Sequence, residues 1–451
     1  MISAASVIKQ YQGAVPRYTS YPTAPQFKAG MGPALMNEMF DSLEGHEPVS
    51  VYIHIPFCDR LCWFCGCNTK HTQRYQPISD YVDHLIDEIA LLRQRMGTRQ
   101  PISQLHLGGG SPSLLVKDDM ARLRAELETV FEFGAETEVS VEIDPSDSNA
   151  EMFEGLKAIG ITRASIGVQD FHQEVQEAIN RPQSFADTQM VVDKLRSIDV
   201  SSINMDALYG LPLQTEARLL STLDQCVSLQ PDRIALFGYA HVPWLKKHQQ
   251  MINQEDLATP EERFAHASKG SDLLRSNDYQ AIGIDHFAKP TDKLAVAANA
   301  GLLRRNFQGY TTDNARTMIG IGASSIGYFE GGYIQNIVAT GQYQALIKEG
   351  QLTANKGYRL SNDDKMLAYF IERLMCDLRV DLSQMQRLFG GSCPTLIAEV
   401  SAAYRDDNLD LCELENGVFS VPEHARAFTR IVASWFDAHF APAKQKFSQA
   451  V

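Results

Sequence analysis

The chain has 451 residues, 44% hydrophobic and 21% charged, with 55 acidic against 41 basic side chains and a formal net charge of −14. That length accommodates one large domain plus a smaller one. No apolar run reaches the ~18 residues of a membrane helix, the start lacks a secretory pattern, and the acidic balance disfavours a nucleic-acid partner. A cytoplasmic monomer is expected.

Residues 1–30 show no periodicity and read as an arm, with VPRYTSYPTAPQF rich in tyrosine, proline and threonine. From residue 49, short apolar runs alternate with amphipathic segments. VSVYIHIP (49–56) reads as a buried strand, and residues 79–96 as a helix capped near Ser79 or Asp80. Strands follow at 103–109, 137–144, 163–169, 202–210 and 232–241. Helices fall between them at 117–133, 149–160, 184–199 and 216–229. Six strand-then-helix units imply parallel strands with right-handed crossovers. The strands read as apolar or β-branched with little alternation, as when both faces are covered. An α/β barrel, complete or partial, is expected over 31–345, with an open doubly wound sheet as the alternative. The pattern then changes. Residues 346–451 read as a mostly helical C-terminal domain, with a strong helix at 362–380 and a β-like patch at NGVFSV (416–421).

Eight cysteines are present, at 58, 62, 65, 67, 226, 376, 393 and 412. The last four are scattered and read as small buried hydrophobes. The first four form C-x3-C-x2-C-x-C directly after the first strand. A tight loop can place Cys58, Cys62 and Cys65 on three irons of a [4Fe–4S] cubane, which leaves one iron open for a small chelating ligand. A zinc site is the alternative, but it wants a second ligand pair that the sequence lacks. Cys67 is an apparent fourth ligand. Its closeness to Cys65 strains simultaneous ligation, so it is read as near the cluster without binding it.

Functional residues of α/β barrels collect at the C-terminal ends of strands. Here those ends carry Gly108-Gly109-Gly110-Ser111-Pro112, Glu142, Gln169, Asp206 and Tyr239-Ala240-His241. The glycines expose backbone to which a ligand can come close. Glu142 and Asp206 are costly in a dry strand without a partner, so each marks an internal ion pair or a ligand contact. Arg181 suits a ligand carboxylate, with a surface arginine as the alternative.

C-x3-C-x2-C resembles the signature of the radical S-adenosylmethionine superfamily. Further segments resemble the oxygen-independent coproporphyrinogen III oxidase family: VPRYTSYPT (15–23), YIHIPFC (52–58), CGCN (65–68), LHLGGGSP (105–112), VEIDP (141–145), GVQDF (167–171), NMDALYGLP (204–212), IDHFAKP (284–290), RNFQGYTT (305–312) and IGIGASSIG (319–327). The resemblance implies a partial (β/α)6 radical-SAM barrel, two S-adenosylmethionine molecules, an electron donor to the cluster and an unidentified electron acceptor. It assigns Tyr52, Phe64, Gly109, Glu142 and Ile326 to one S-adenosylmethionine, and Gly110, Ser111, Gln169, Arg181, Asp206 and Ala240 to the other. Cys67, Tyr52 and Glu142 are the expected catalytic residues. Ser111 stands where threonine is commoner, and Trp63 replaces a tyrosine. The implied reaction turns two propionates of coproporphyrinogen III into vinyl groups, giving protoporphyrinogen IX. A substrate with four carboxylates needs a locally basic site in an acidic protein, and Arg17 and Arg305 are expected to bind propionates. Rival readings are a related haem chaperone, a haem-modifying radical enzyme and a non-catalytic metal module. The first two are expected to lack CGCN, and the chaperone to carry an HNxxYW segment absent here.

Overall fold

A computed structural model describes residues 4–10, 15–43 and 45–440. Residues 1–3, 11–14, 44 and 441–451 lie outside the described residues, the first two stretches within the expected arm and the last within the expected C-terminal domain. Six strands, β1 (Val49–Ile55), β2 (Gln100–Gly109), β3 (Phe131–Ile143), β4 (Arg163–Gln169), β5 (Ser202–Tyr209) and β6 (Arg233–Gly238), lie side by side in chain order. Every neighbouring pair among them is parallel. The intervening helices are α1 (Gln76–Met96), α2 (Lys117–Val130), α3 (Ala150–Ile159), α4 (Phe185–Ser197) and α5 (Glu216–Ser228). A doubly wound sheet reverses its strand order at a switch point. No reversal occurs between β1 and β6, so same-handed crossovers put the helices on one face, as in a barrel. The order stays linear, and the barrel is a partial one.

The strands do alternate, contrary to the sequence reading. Val49, Val51, Ile53 and Ile55 enter the main apolar core, whereas Ser50, Tyr52 and His54 point the other way. Val139, Val141 and Ile143 of β3 do the same, opposite Glu138, Ser140 and Glu142. The helices cover only the outer face, and the inner face carries the polar residues. The register sets Tyr52 beside His106, Glu142 beside Ser165, and Gly167 beside Asp206.

Two boundaries differ from the sequence pattern. Helix α1 starts at Gln76 with Pro77 in its first turn, where a missing N–H costs nothing, and ends on Gly97 at φ 71°. Helix α2 stops at Val130 because Phe131 is fully buried and pairs with Gln100, so β3 begins six residues early. After β6 come α6 (Pro260–Ser276) and β7 (Gln280–Ile282), then β8 (His286–Ala288), which pairs antiparallel with β6. On the other edge β9 (Met318–Ile321) pairs parallel with β1. It is followed by β10 (Ile326–Phe329), β11 (Gly332–Asn336) and β12 (Ala354–Arg359). The sheet therefore runs beyond residue 345. Helix α7 (Asn362–Asp377) opens a second apolar core with Phe370, Leu374, Phe419 and Val432, and Val7, Val15, Tyr18 and Tyr21 of the arm pack into it. Within this unit, Val418–Ser420 pairs with Glu413–Glu415 and with Arg379–Asp381.

Candidate functional site

Cys58 ends a two-residue strand, Phe57–Cys58, that pairs with Lys70–His71, so the cysteine loop is pinned at both ends. Its carbonyls are tied to one segment. Gln249 donates to Phe64 O (2.9 Å), His248 Nε2 to Cys65 O (2.7 Å) and Lys246 Nζ to Cys67 O (2.8 Å). From the other side Asn180 donates to Leu61 O (3.0 Å), and Trp63 N–H to Ile179 O (2.9 Å). Cys58, Cys62 and Cys65 are half-buried, whereas Cys67 is exposed. The scattered cysteines 226, 376, 393 and 412 are buried, as expected.

The sulfurs differ in their surroundings. Burial pushes the Cys58 thiol above its ordinary range, and Cys65 and Cys62 add to this. Arg181 Nη1 donates to Cys62 Sγ (3.5 Å) and opposes the same effect there. The Cys67 thiol hydrogen bond lowers Cys65 to about 6, and the Cys67 N–H also donates to Cys65 Sγ (3.3 Å). Among the described residues no group of three or more His, Cys, Asp or Glu is placed to hold one metal ion. A cubane takes its ligands at separate irons. Three spaced thiols near Arg181, Lys246 and His248 therefore fit an anionic iron–sulfur cluster.

Beside the loop, Glu142 receives the Gly109 N–H (2.9 Å) and His106 Nε2 (3.3 Å). Burial raises its pKa, but these donors outweigh it and hold the carboxylate ionised, with 42% of the side chain still exposed. Tyr52 stacks on His106 with centroids 5.8 Å apart. His54 Nε2 faces Asn68 O (2.9 Å), so it carries the proton, and Nδ1 accepts from Tyr52 Oη (3.0 Å). Burial keeps this histidine neutral.

The glycines serve these partners rather than leaving open space. A Cβ at Gly108 would meet Glu142 Oε1 at 2.8 Å, at Gly109 the His54 ring at 2.3 Å, and at Gly110 Phe57 O at 2.5 Å.

The second expected group is only partly assembled. Arg181 is buried, not on the surface. It pairs with Asp144 (2.8 Å) and donates to Gly167 O (2.8 Å), while its Nε has no partner. Gln169 sits at φ 63°. Asp206 accepts from Asn204 (2.9 Å) and Ser165 (2.9 Å), and burial raises its pKa. Ala240 shares Gln249 with Phe64, since Gln249 also donates to Ala240 O (3.2 Å). The Ser111 hydroxyl turns inward and donates to Asp147, whose carboxyl burial and Asp144 push up to about 7. The Ile326 backbone lies against Gly320, which is registered with Tyr52, and its side chain packs near Phe27, Tyr333 and Leu360. Asp144 and Asp147 escaped the sequence reading, although VEIDPSD places them just after Glu142.

Arg17 and Arg305 meet around Asp285. Arg17 donates to Gly238 O (2.8 Å), and Arg305 Nε donates to Tyr18 O (3.2 Å) while lying 4.4 Å over Tyr310. Two further arginines escaped the sequence reading. Arg263 donates to Tyr239 O (2.9 Å) and lies 5.6 Å over Tyr209, and Arg430 comes from the helix Thr429–Ser434. Nothing in their local sequence marks them, because only tertiary packing brings them together. Burial works against the Asp285 carboxyl, but His286, at 2.8 Å, and Arg305 lower its pKa to about 2.

Comparison with known proteins agrees with this arrangement. Residues 52–226 match the Radical SAM superfamily. An oxygen-independent coproporphyrinogen III oxidase of Cereibacter sphaeroides is 41% identical over 98% of this chain and 97% of its own length. One from Bradyrhizobium diazoefficiens is 41% identical over 97% of each. The solved coproporphyrinogen III oxidase of Escherichia coli, described as a radical SAM enzyme, superposes with a TM-score of 0.89 at 34% identity, covering 97% of this chain and 100% of that one. Full-length identity, the matching fold and a cysteine loop suited to an iron–sulfur cluster together establish that this chain belongs to the oxygen-independent coproporphyrinogen III oxidase family of radical SAM proteins.

Proposed function

We propose that the protein oxidatively decarboxylates two propionates of coproporphyrinogen III to vinyl groups, giving protoporphyrinogen IX in haem biosynthesis. The observation that carries this reading is the 41% identity to named oxidases along 98% of the chain. Bound at this site, a reduced cluster and S-adenosylmethionine would supply an electron and a 5′-deoxyadenosyl radical able to take hydrogen from a propionate β-carbon. Loss of carbon dioxide and one electron from the substrate leaves the vinyl group, and an external acceptor takes that electron.

The chain's own residues bind, orient and shield. Cys58, Cys62 and Cys65 hold the cluster. Glu142, held ionised by His106 and Gly109, suits the ribose or amino group of one S-adenosylmethionine, with Tyr52, Phe64 and Ile326 beside it. Gly110, Gln169, Arg181, Asp206 and Ala240 are the proposed contacts of a second. For Ser111 this requires its hydroxyl to leave Asp147. Cys67 sits at the exposed face of the loop, positioned to act on substrate while its backbone supports Cys65. An electron donor to the cluster completes the partners. No helix among the described residues is long and apolar enough to cross a membrane.

The test is an anaerobic assay of reconstituted protein with reductant, S-adenosylmethionine and coproporphyrinogen III. Protoporphyrinogen formation is expected, and haem retention without turnover would favour the chaperone reading. Cys58→Ser, Cys62→Ser and Cys65→Ser should each lose the cluster's visible absorption. Cys67→Ser should keep it and lose turnover. Loss of the cluster in Cys67→Ser would refute the ligand assignment.

A further inference from the structure

The arginine group around Asp285 is larger than one carboxylate requires. Arg17, Arg263, Arg305 and Arg430 bring four guanidinium groups to the neighbourhood of one carboxylate, and Arg430 is near enough to depress the titration of both Arg17 and Arg263. Buried like charges are costly unless anions offset them, and Asp285 supplies a single negative charge to four guanidinium groups. Two N–H groups record the missing partner. Arg305 Nη1 and Arg430 Nε are buried with no hydrogen-bond acceptor. Arg17 is exposed, although it is anchored on Gly238 at the end of β6. The group therefore borders the open mouth rather than a sealed core.

Its position relative to the cysteine loop is equally informative. The loop and Gly109 belong to the ends of β1 and β2, whereas Gly238 ends β6. The two ends nevertheless meet across the partial barrel, because Gln249 donates both to Phe64 O of the loop and to Ala240 O, two residues beyond Gly238. A ligand seated over the cysteine loop therefore has the arginines at its border. The chemistry of the reaction narrows the assignment further. A propionate that loses carbon dioxide also loses its charge, so arginines clamped on it would stabilise the starting state more than the transition state. A propionate that survives suffers no such penalty, and bidentate arginine pairs are the strongest way to orient it.

Building on the proposed function, we propose that Arg17, Arg263, Arg305 and Arg430 form a carboxylate subsite for the two propionates of the tetrapyrrole that remain intact. Asp285, fixed by His286, spaces the arginines and offsets part of their charge. The C-terminal domain thereby acquires a role in substrate recognition, through Arg430.

The experiment measures equilibrium binding of two porphyrins to the full chain by fluorescence quenching. Coproporphyrin III carries four carboxylates, and mesoporphyrin IX carries only the retained pair. Arg430→Gln should weaken both by about tenfold or more, the scale of one charged hydrogen bond, and Arg430→Lys should weaken them less. Affinities of Arg430→Gln within about twofold of the unmutated protein would overturn the subsite. Weakening of coproporphyrin III alone would overturn the assignment to the retained pair. If Arg430→Gln fails to fold, Arg430→Lys decides: affinity reduced for both porphyrins supports the subsite, and unchanged affinity overturns it. A protein that binds both porphyrins in this Arg430-dependent way, yet never converts coproporphyrinogen III, would refute the functional reading and leave the subsite standing.

Discussion

Gly109 shows how much one absent side chain can decide. It sits at φ 110°, its N–H is spent on Glu142, and the His54 ring fills the place of a Cβ. Gly109→Ala combines an unfavourable backbone with a collision against a ring fixed by Tyr52 and Asn68. A loss of about 2–4 kcal/mol is expected in denaturant unfolding, together with weakened S-adenosylmethionine binding. The glycine triplet was legible as a motif, but its purpose was not. The colliding partner lies on the neighbouring strand, 55 residues away in sequence, and no local pattern carries that distance. The cysteine loop was legible as a pattern because its four cysteines fall within ten residues of sequence. The arginine subsite was half legible, through Arg17 and Arg305 in family-like segments, and half invisible.

At the level of elements, strand existence and order followed from the apolar runs. The alternation stands in β1 itself, where Ser50, Tyr52 and His54 separate Val49, Val51, Ile53 and Ile55, but those three polar side chains are also buried or half-buried, so both faces are covered. Helix α1 is held to the sheet by a buried carboxylate. Glu88 accepts from Gly322 N–H (2.7 Å), Tyr343 Oη (2.7 Å) and Asn336 (2.9 Å). Burial still prevails and raises its pKa from 4.5 to about 7. The folded state thus binds this proton more tightly than the unfolded chain. Its stabilising effect is complete below about 4.5 and is lost as pH rises through about 7. The cost at higher pH is about 3 kcal/mol. The melting temperature should therefore fall between pH 5 and pH 8 (values on the order of this titration window), and Glu88→Gln should flatten that fall. An equally steep fall in Glu88→Gln would place the titrating group elsewhere.

For the molecule as a whole, the arm is the joint between the two cores. Tyr18 Oη donates to Asp437 (3.0 Å), Ala438 N–H donates to Tyr21 Oη (3.1 Å) and Tyr333 Oη to Tyr21 O (3.2 Å). Deletion of residues 1–23 removes apolar contacts from the second core together with Arg17. It should lower the melting temperature and abolish porphyrinogen turnover, while the cysteine loop, which the arm does not build, still assembles its cluster. Loss of the visible cluster absorption in the deletion would show that the arm also supports the loop. The arm was readable only as aperiodic sequence, since its partners stand at the other end of the chain. Tyr18 and Asp437 are 419 positions apart. A ribosome delivers Tyr18 long before Asp437. The cysteine loop and its sheet are therefore synthesised before the arm's last partner exists, and the contact that joins the two cores is among the last that can form.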